Sequence, residues 1–208
     1  MSGVRPEYEK NPANIEARSF EIIRSALSCY AIAPDLFDVA VRVVHAGGDF
    51  SLASLIGSKN NAIESARKAF ASGGRIFCDV EMLKAGISRE ECSRLGLETV
   101  CFIHDEETAR RAKDEGVTRA MASVGIALER GVRIFAFGNA PSALFRLLEL
   151  CEHGAQADFV CGMPVGFVGA ADSKEALMAS GIPSVFIRGP RGGSGLCAAS
   201  MNALLRMA

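Results

Sequence analysis

The segment that decides the fold is RIFAFGNAPSALFRLLE, residues 133–149. After Arg133, residues 134–137 form a short apolar run, which is typical of a buried strand. Pro141 suits the first turn of a helix, and apolar residues recur after it at helical spacing. A strand, a short Gly-Asn-Ala-Pro loop and an amphipathic helix thus follow one another, and this is the repeating unit of an α/β protein.

The same alternation extends in both directions from this segment. We predict strands at 39–44, 75–79, 98–103, 132–137, 157–162 and 184–188. We predict helices at 58–72, 105–116, 119–130, 141–153, 172–180 and 195–207. A first helix begins near Asn11, which suits the N-cap, and Pro12 suits its first helical position. The pattern predicts one α/β domain over residues 1–208, with a mostly parallel sheet flanked by helices on both faces.

Composition narrows the classes of function. The chain has 208 residues and a net charge of −1, so it has no general affinity for nucleic acid or an anionic membrane. No apolar run approaches the length of a membrane span, and the N-terminus lacks the apolar core of a signal peptide, so we expect a cytoplasmic protein. The seven cysteines are odd in number and include no Cys-x-x-Cys pair, which predicts free, mostly buried thiols and no metal site.

One histidine is a candidate for chemistry. His45 follows the β-branched run 39–44 and precedes Gly47 and Gly48. If the run is a strand, the imidazole lies at its carboxyl end, where open α/β sheets bind ligands, and the glycines let a ligand approach the backbone. Imidazole suits proton transfer near neutral pH. The alternative is a strand-end histidine that only hydrogen-bonds a turn.

Two further loops each follow a predicted strand. The loop 138–142 opens a helix whose free N–H groups can hold a carboxylate or phosphate, and the alternative is ordinary capping by Asn139. The loop 162–175 has three glycines in its first eight residues, which favours close backbone approach to a flat or bulky ligand. Asp172 and Glu175 predict a capping box at the end of this loop.

A fourth loop, 188–195, is rich in glycine and arginine. It lacks the Gly-Lys-Ser/Thr ending of a Walker motif, and its loose dinucleotide fingerprint has no following strand with a ribose-binding acid, so we do not expect NAD binding. Arg188 and Arg191 can hold carboxylates in a bidentate manner. The alternative is a solvated basic loop.

Other charged positions carry less information. Asp79 and Glu81 would share one side of a continued strand, as a glycosidase pair could, but a capped strand end is the favoured interpretation. Arg119 begins a helix, and a plain surface arginine is the alternative to ligand binding. The loops show no nucleophile–base pair and no metal-ligand set. They favour a proton-assisted reaction on a large, polyanionic small molecule over hydrolysis.

Five segments of the chain resemble the precorrin-8X methylmutase family, also called cobalt-precorrin-8 methylmutase. They are RVVH at 42–45, DVEMLKAGI at 79–87, GNAPSALFRLLE at 138–149, PVGFVGAADSK at 164–174 and RGPRGGS at 188–194. The likeness runs in order from Tyr8 to Leu205.

This resemblance implies a homodimeric α/β isomerase of corrin biosynthesis with sites near the subunit interface. The family moves a methyl group from carbon 11 to carbon 12 of a porphyrin-like macrocycle, a 1,5-sigmatropic shift that gives hydrogenobyrinate or cobyrinate without a cofactor. The family's histidine, which protonates or hydrogen-bonds the macrocycle, falls on His45. The resemblance places ring-binding residues at Ser19, Arg119, Asn139, Ser142, Gly166, Arg188 and Arg191.

Three alternatives remain at this level. The residues do not separate a cobalt-containing substrate from a cobalt-free one. A corrinoid-binding or carrier protein would keep the arginines and glycines without needing an ionisable histidine. A generic phosphoanion-binding α/β enzyme is the third, and competition of ring binding by phosphate or nucleotide would favour it.

Overall fold

A computed structural model describes residues 8–208 and contains one six-stranded sheet. Its strands are β1 Ile56–Lys59, β2 Gly74–Cys78, β3 Leu97–Val100, β4 Ile134–Phe137, β5 Phe159–Gly162 and β6 Ser184–Ile187. The helices of these residues are α1 Pro12–Leu27, α2 Phe37–Gly47, α3 Ala62–Ala71, α4 Glu81–Gly86, α5 Arg89–Arg94, α6 Glu106–Glu115, α7 Arg119–Glu129, α8 Pro141–Glu152, α9 Ala170–Ala179 and α10 Ser194–Met207. Within this described part, no helix has the length and apolar character needed to cross a bilayer.

The sheet is mostly parallel, as the sequence predicts. The strand order is β1-β6-β5-β4-β2-β3. The five strands β6, β5, β4, β2 and β3 pair in parallel, and β1 pairs antiparallel with β6 at one edge. Because carboxyl ends of parallel strands meet at one edge of a sheet, the segments after β2, β4, β5 and β6 come together there.

Alternating side chains divide the core between the two faces of the sheet. Ile76, Ile134 and Val185 point to the face covered by α3 and α10, and α2 packs on α10 with α1 against α2. Phe77 and Phe135 point to the other face, which α7, α8 and α9 cover. The predicted α/β fold with helices on both faces is therefore confirmed. The prediction of mostly buried thiols is also confirmed, since Cys78, Cys92, Cys101, Cys161 and Cys197 are buried.

The predicted strand 39–44 is wrong, because these residues lie inside the helix α2. The run is apolar on several sides since α2 packs against α10, α1 and the 3-10 turn Phe50–Ser54. This burial outweighs the β-propensity of its valines. Gly48 ends the helix in the left-handed conformation, with φ of 60°. His45 therefore sits in the last turn of a helix and not at the end of a strand.

The structure also contains elements that the pattern does not predict. These are β1, α4 and α5. The predicted helix 58–72 begins only at Ala62, because Asn60 and Asn61 have φ of 57° and 53° and separate α3 from β1. Asn60 Nδ2 holds this turn by donating to the carbonyls of Ser180 and Ile182, both at 3.1 Å.

The first helix and the remaining helices and strands lie near their predicted positions. Asn11 caps α1 through its side chain, which accepts from the N–H of Ala13, and Pro12 is the first helical residue. The predicted capping box of Asp172 and Glu175 is wrong. The helix α9 begins earlier, at Ala170, and no side chain caps it.

Candidate active site

His45 lies on one wall of an open cleft between α1 and α2. The cleft has a volume of about 280 Å³ and is lined by Ser19, Ile22, Ile23, Val44, His45, Gly48, Asp49 and Phe50. The side chain of His45 is exposed to it. Two of the predicted site residues, Ser19 and His45, are thus brought together by the packing of α1 on α2.

The imidazole of His45 packs against the ring of Phe20. The two ring centroids are 4.9 Å apart, and the rings are tilted by 43°. The guanidinium of Arg42, one helical turn before His45, lies 4.7 Å from the centroid of the same phenyl ring. Within residues 8–208, no hydrogen bond reaches the imidazole. Its orientation therefore depends on this ring contact, and both nitrogens can serve a ligand.

Asp49 connects the His45 cleft to the loop after β6. Arg191 Nη1 donates to Asp49 Oδ2 at 2.7 Å and to Ser51 Oγ at 2.6 Å. Hydrogen bonds from Ser51 lower the pKa of Asp49, and Arg191 lowers it further. The Asp49–Arg191 ion pair thus links the lining of the His45 cleft to the loop after β6 at the carboxyl edge of the sheet.

The loops after β5 and β6 are joined by a buried lysine. Lys174 Nζ donates to the carbonyls of Pro164 at 3.0 Å and Arg191 at 2.6 Å. Burial lowers the pKa of Lys174 to about 8. Gly166 N–H also donates to the Pro190 carbonyl at 3.1 Å. Gly166 and Arg191, two predicted site residues, therefore belong to one hydrogen-bonded pair of loops.

Asp79 fixes the loop after β4. It is fully buried directly after β2, and its carboxylate accepts from the N–H groups of Gly138, Asn139 and Ala140 at 3.0, 2.7 and 2.7 Å. Burial raises the pKa of Asp79, and these three donors oppose the shift. The capped strand end is thus confirmed as the role of this carboxylate. No strand continues to Glu81, which begins α4 instead.

The loop that Asp79 fixes presents Asn139 and Ser142. Asn139 is exposed and does not cap α8, whose N-cap is Ala140, while Pro141 occupies the first turn as predicted. A Cβ on Gly138 would lie 2.7 Å from Ser194 Cα, so this glycine permits close approach of the first turn of α10.

Arg119 and Ser142 lie on neighbouring helix N-termini. Thr118 caps α7 by accepting from the N–H of Met121 at 3.2 Å, and its Oγ1 lies 3.5 Å from Ser142 Oγ. Arg119 is the exposed first residue of that helix. Free N–H groups and an arginine at such a place suit a carboxylate.

Arg188 stands apart from these contacts. Its backbone N–H donates to the Leu55 carbonyl at 2.8 Å, and its side chain is exposed. In the same region, Phe167 and Val168 at the tip of the loop after β5 are 100% and 90% exposed. Fully exposed apolar residues of this size mark a surface that contacts a ligand or another chain.

Three groups that shape the site have roles that the sequence pattern does not indicate. They are Phe20 beside His45, Asp49 beside Arg191, and Lys174 between the loops. Of the three, only Lys174 has a local indication in the sequence. It lies in α9, AADSKEALMA, most of whose residues are small or apolar, and a lysine in such a helix can be buried if it is paired. Over residues 8–208, no three His, Cys, Asp or Glu side chains form a group that could hold a metal ion.

Comparison with known proteins gives consistent matches. The family model described as CbiC, precorrin-8X methylmutase, matches residues 14–207. The chain is 41% identical to a cobalt-precorrin-8 methylmutase of Salmonella typhimurium over 95% of this chain and 96% of the relative. It is 39% identical to a precorrin-8X methylmutase of Sinorhizobium sp. over 97% and 98% of the two chains. A solved precorrin-8X methylmutase structure from Thermus thermophilus superimposes with a TM-score of 0.87, at 36% identity, over 94% of this chain and 95% of that one.

Proposed function

Because this chain belongs to the precorrin-8X methylmutase family of cobalamin-biosynthesis isomerases, we propose that it moves a methyl group from carbon 11 to carbon 12 of its macrocycle, with His45 as general acid. The observation that carries this proposal is the exposed His45 imidazole beside Ser19 in a cleft of about 280 Å³. A side chain that protonates a ligand must be accessible and have a free ring nitrogen, and His45 meets both conditions.

The chemistry balances without any other reactant. The bond from carbon 11 to the methyl carbon breaks as the bond from carbon 12 forms, so substrate and product are isomers. His45 donates a proton or a hydrogen bond to the macrocycle during the migration. The proton returns to the imidazole when the product forms, so the enzyme ends each turnover in its starting state.

The carboxylate arms of the macrocycle require cationic groups and N–H donors. We assign this role to Arg119, Asn139 and Ser142 at the starts of α7 and α8, and to Arg188 and Arg191 after β6. Helix N-termini and guanidinium groups both favour carboxylates. In this proposal Gly166 and the exposed Phe167 face the apolar body of the ring. Ser19 contacts the ring from the other side of the cleft.

A homodimer in the cytoplasm completes the proposal. The helix α1 has sixteen residues, of which only Ile23 and Leu27 are buried. Ile15 and Ile22 on this helix and Phe50 beside it remain 47%, 53% and 42% exposed. Apolar residues grouped in this way support an interface with a second copy next to the His45 cleft. Sedimentation velocity would give the mass of a dimer, and a monomer at micromolar concentration would contradict this part.

The direct test is the visible absorption spectrum of the protein incubated with enzymatically prepared precorrin-8X or its cobalt form. We expect the wild type to convert at least one form to the corrin spectrum. His45→Ala should bind the same form and slow its conversion by at least about 100-fold, the smaller end of general acid effects. The form that reacts identifies the metal requirement.

A matched control is His104→Ala, since His104 is an exposed histidine outside the cleft. This variant should keep wild-type turnover. Full turnover by His45→Ala would remove His45 from the acid role. Tight binding of both forms by wild type without any spectral change would instead indicate a corrinoid carrier.

A further inference from the structure

A second cleft lies next to the His45 cleft and shares Phe20 with the surroundings of His45, since this ring lines the second cleft and packs on the imidazole. It has a volume of about 220 Å³ and opens between α1, α2 and the C-terminal turn of α10. Its polar lining consists of Arg24, Asp38, Arg42 and Arg206, and its apolar lining includes Phe20 and Met207.

Three cations from three helices face this cleft with a single carboxylate among its lining. Arg24 Nη2 pairs with Asp38 Oδ1 at 2.7 Å, which satisfies one of them. Arg42 reaches only Glu16, at 3.8 Å. Arg206 lies 3.5 Å from a carboxylate of α5 that already accepts from Arg94 at 2.9 Å. The carboxylate partners of Arg42 and Arg206 thus lie outside the cleft, and both contacts are longer than a hydrogen bond or shared with another arginine.

Arg42 is the arginine of this cleft that a bound anion would stabilise most. Its side chain is 27% exposed, and within residues 8–208 its guanidinium makes no hydrogen bond closer than the 3.8 Å contact with Glu16. Burial lowers the pKa of Arg42, and the charge of Arg206 lowers it further. A half-buried guanidinium with free N–H donors beside a second cation is a strong binding site for an oxyanion, which accepts their hydrogen bonds.

The position of Arg206 alone has a simpler explanation. A cation in the last turn of a helix complements the helix dipole, and Arg206 occupies that turn of α10. Arg42 lies in the middle of α2, where the helix dipole has no such effect, and its contacts are the ring of Phe20 and the long ion pair with Glu16. The two guanidinium groups line the same cleft, and an anion bound between them would offset their mutual repulsion.

We propose that this cleft binds a small oxyanion, a phosphate or short dicarboxylate, held chiefly by Arg42 and Arg206. The site goes beyond the proposed isomerase function. The cleft has a volume of about 220 Å³ and is lined by guanidinium groups, which favour a small oxyanion. The two clefts have different linings on α1, with Ser19 and Ile22 on the His45 side and Arg24 in this one, and the ring of Phe20 lies between Arg42 and His45.

The test is thermal unfolding of the full chain in increasing phosphate or succinate, with chloride keeping the ionic strength constant. Each probe anion should raise the midpoint in a saturable way, and the lower half-saturating concentration shows whether phosphate or carboxylate is preferred. Arg42→Met and Arg206→Met should each raise that concentration at least tenfold. The half-exposed Arg206 keeps the test valid if Arg42→Met does not fold.

A matched control makes the result specific. Arg110→Met removes an exposed arginine of α6 outside the cleft and should leave the titration unchanged. No stabilisation beyond chloride, an unaltered titration in Arg206→Met, or an equal change in Arg110→Met would each overturn the proposal.

Discussion

The two sides of the candidate active site are held in opposite ways. On the sheet side, buried Asp79 binds three N–H groups and buried Lys174 binds two carbonyls, so the loops after β4, β5 and β6 are hydrogen-bonded in place. On the helical side, His45 is oriented by one contact with the ring of Phe20. The loops after β4, β5 and β6 form a rigid frame, which suits recognition of a fixed set of carboxylates. His45 is an accessible acid whose position depends on packing.

The largest change in the free energy of unfolding should come from removing the carboxylate of Asp79, which holds the loop after β4. We expect Asp79→Ala to lower the free energy of unfolding by about 4 kcal/mol, because three N–H groups lose a charged acceptor at once. Asp79→Asn keeps one acceptor oxygen and should lose roughly half as much. Urea unfolding measures both. A loss of less than about 1 kcal/mol in Asp79→Ala would mean that the loop does not depend on this carboxylate.

The next largest effect is a pH dependence of stability that arises from the lowered pKa of Lys174. Its pKa is about 8 in the folded chain against 10.5 as its ordinary value. Between these values the unfolded chain holds more protons, so stability rises with pH in this window and the cost of burying the charge disappears. The wild type should therefore gain up to about 3 kcal/mol relative to Lys174→Met from pH 8 to 10.5.

This difference is measured by urea unfolding of both proteins across the window. The methionine variant has no group to titrate and serves as the reference. If the difference between the two proteins stayed flat or fell with rising pH, the ammonium of Lys174 would not be the buried link between the loops.

The smallest expected effect is on the helical side, where Phe20 orients His45. Phe20→Leu should lower kcat about tenfold, equivalent to roughly 1.4 kcal/mol, because the imidazole of His45 loses its aromatic neighbour. Phe37→Leu is the matched control, since Phe37 also lies beneath an arginine but on the first turn of α2. Equal losses of kcat in the two variants would assign the effect to general packing.

Much of the fold could be predicted from the sequence because the central strands are continuous apolar runs. The residues 134–137 and 159–162 are buried on both faces, and such runs are recognisable without knowledge of their neighbours. The run 39–44 misleads for the same reason, because a helix buried on several sides is also apolar throughout. The edge strand β1, with the short sequence IGSK, has too little apolar character to be seen.

The site could be predicted less completely, because its important links join distant parts of the chain. Asp79 meets a loop about sixty residues later, and Arg191 meets Asp49 from 142 residues away. No local spacing indicates these pairs. The local pattern places His45 at a strand end that does not exist, whereas the family resemblance points to the same residue without it, and His45 lies beside Ser19 in a cleft.

Whether His45 assists a methyl migration can be measured by following the methyl group itself. Substrate labelled with ¹³C in the methyl group on carbon 11 would be incubated with wild type and with His45→Ala, and the products examined by NMR. We expect the labelled methyl to move to carbon 12 in the wild type and to move at least about 100-fold more slowly in the variant. A label that stays on carbon 11, or equal rates in the two proteins, would contradict this expectation.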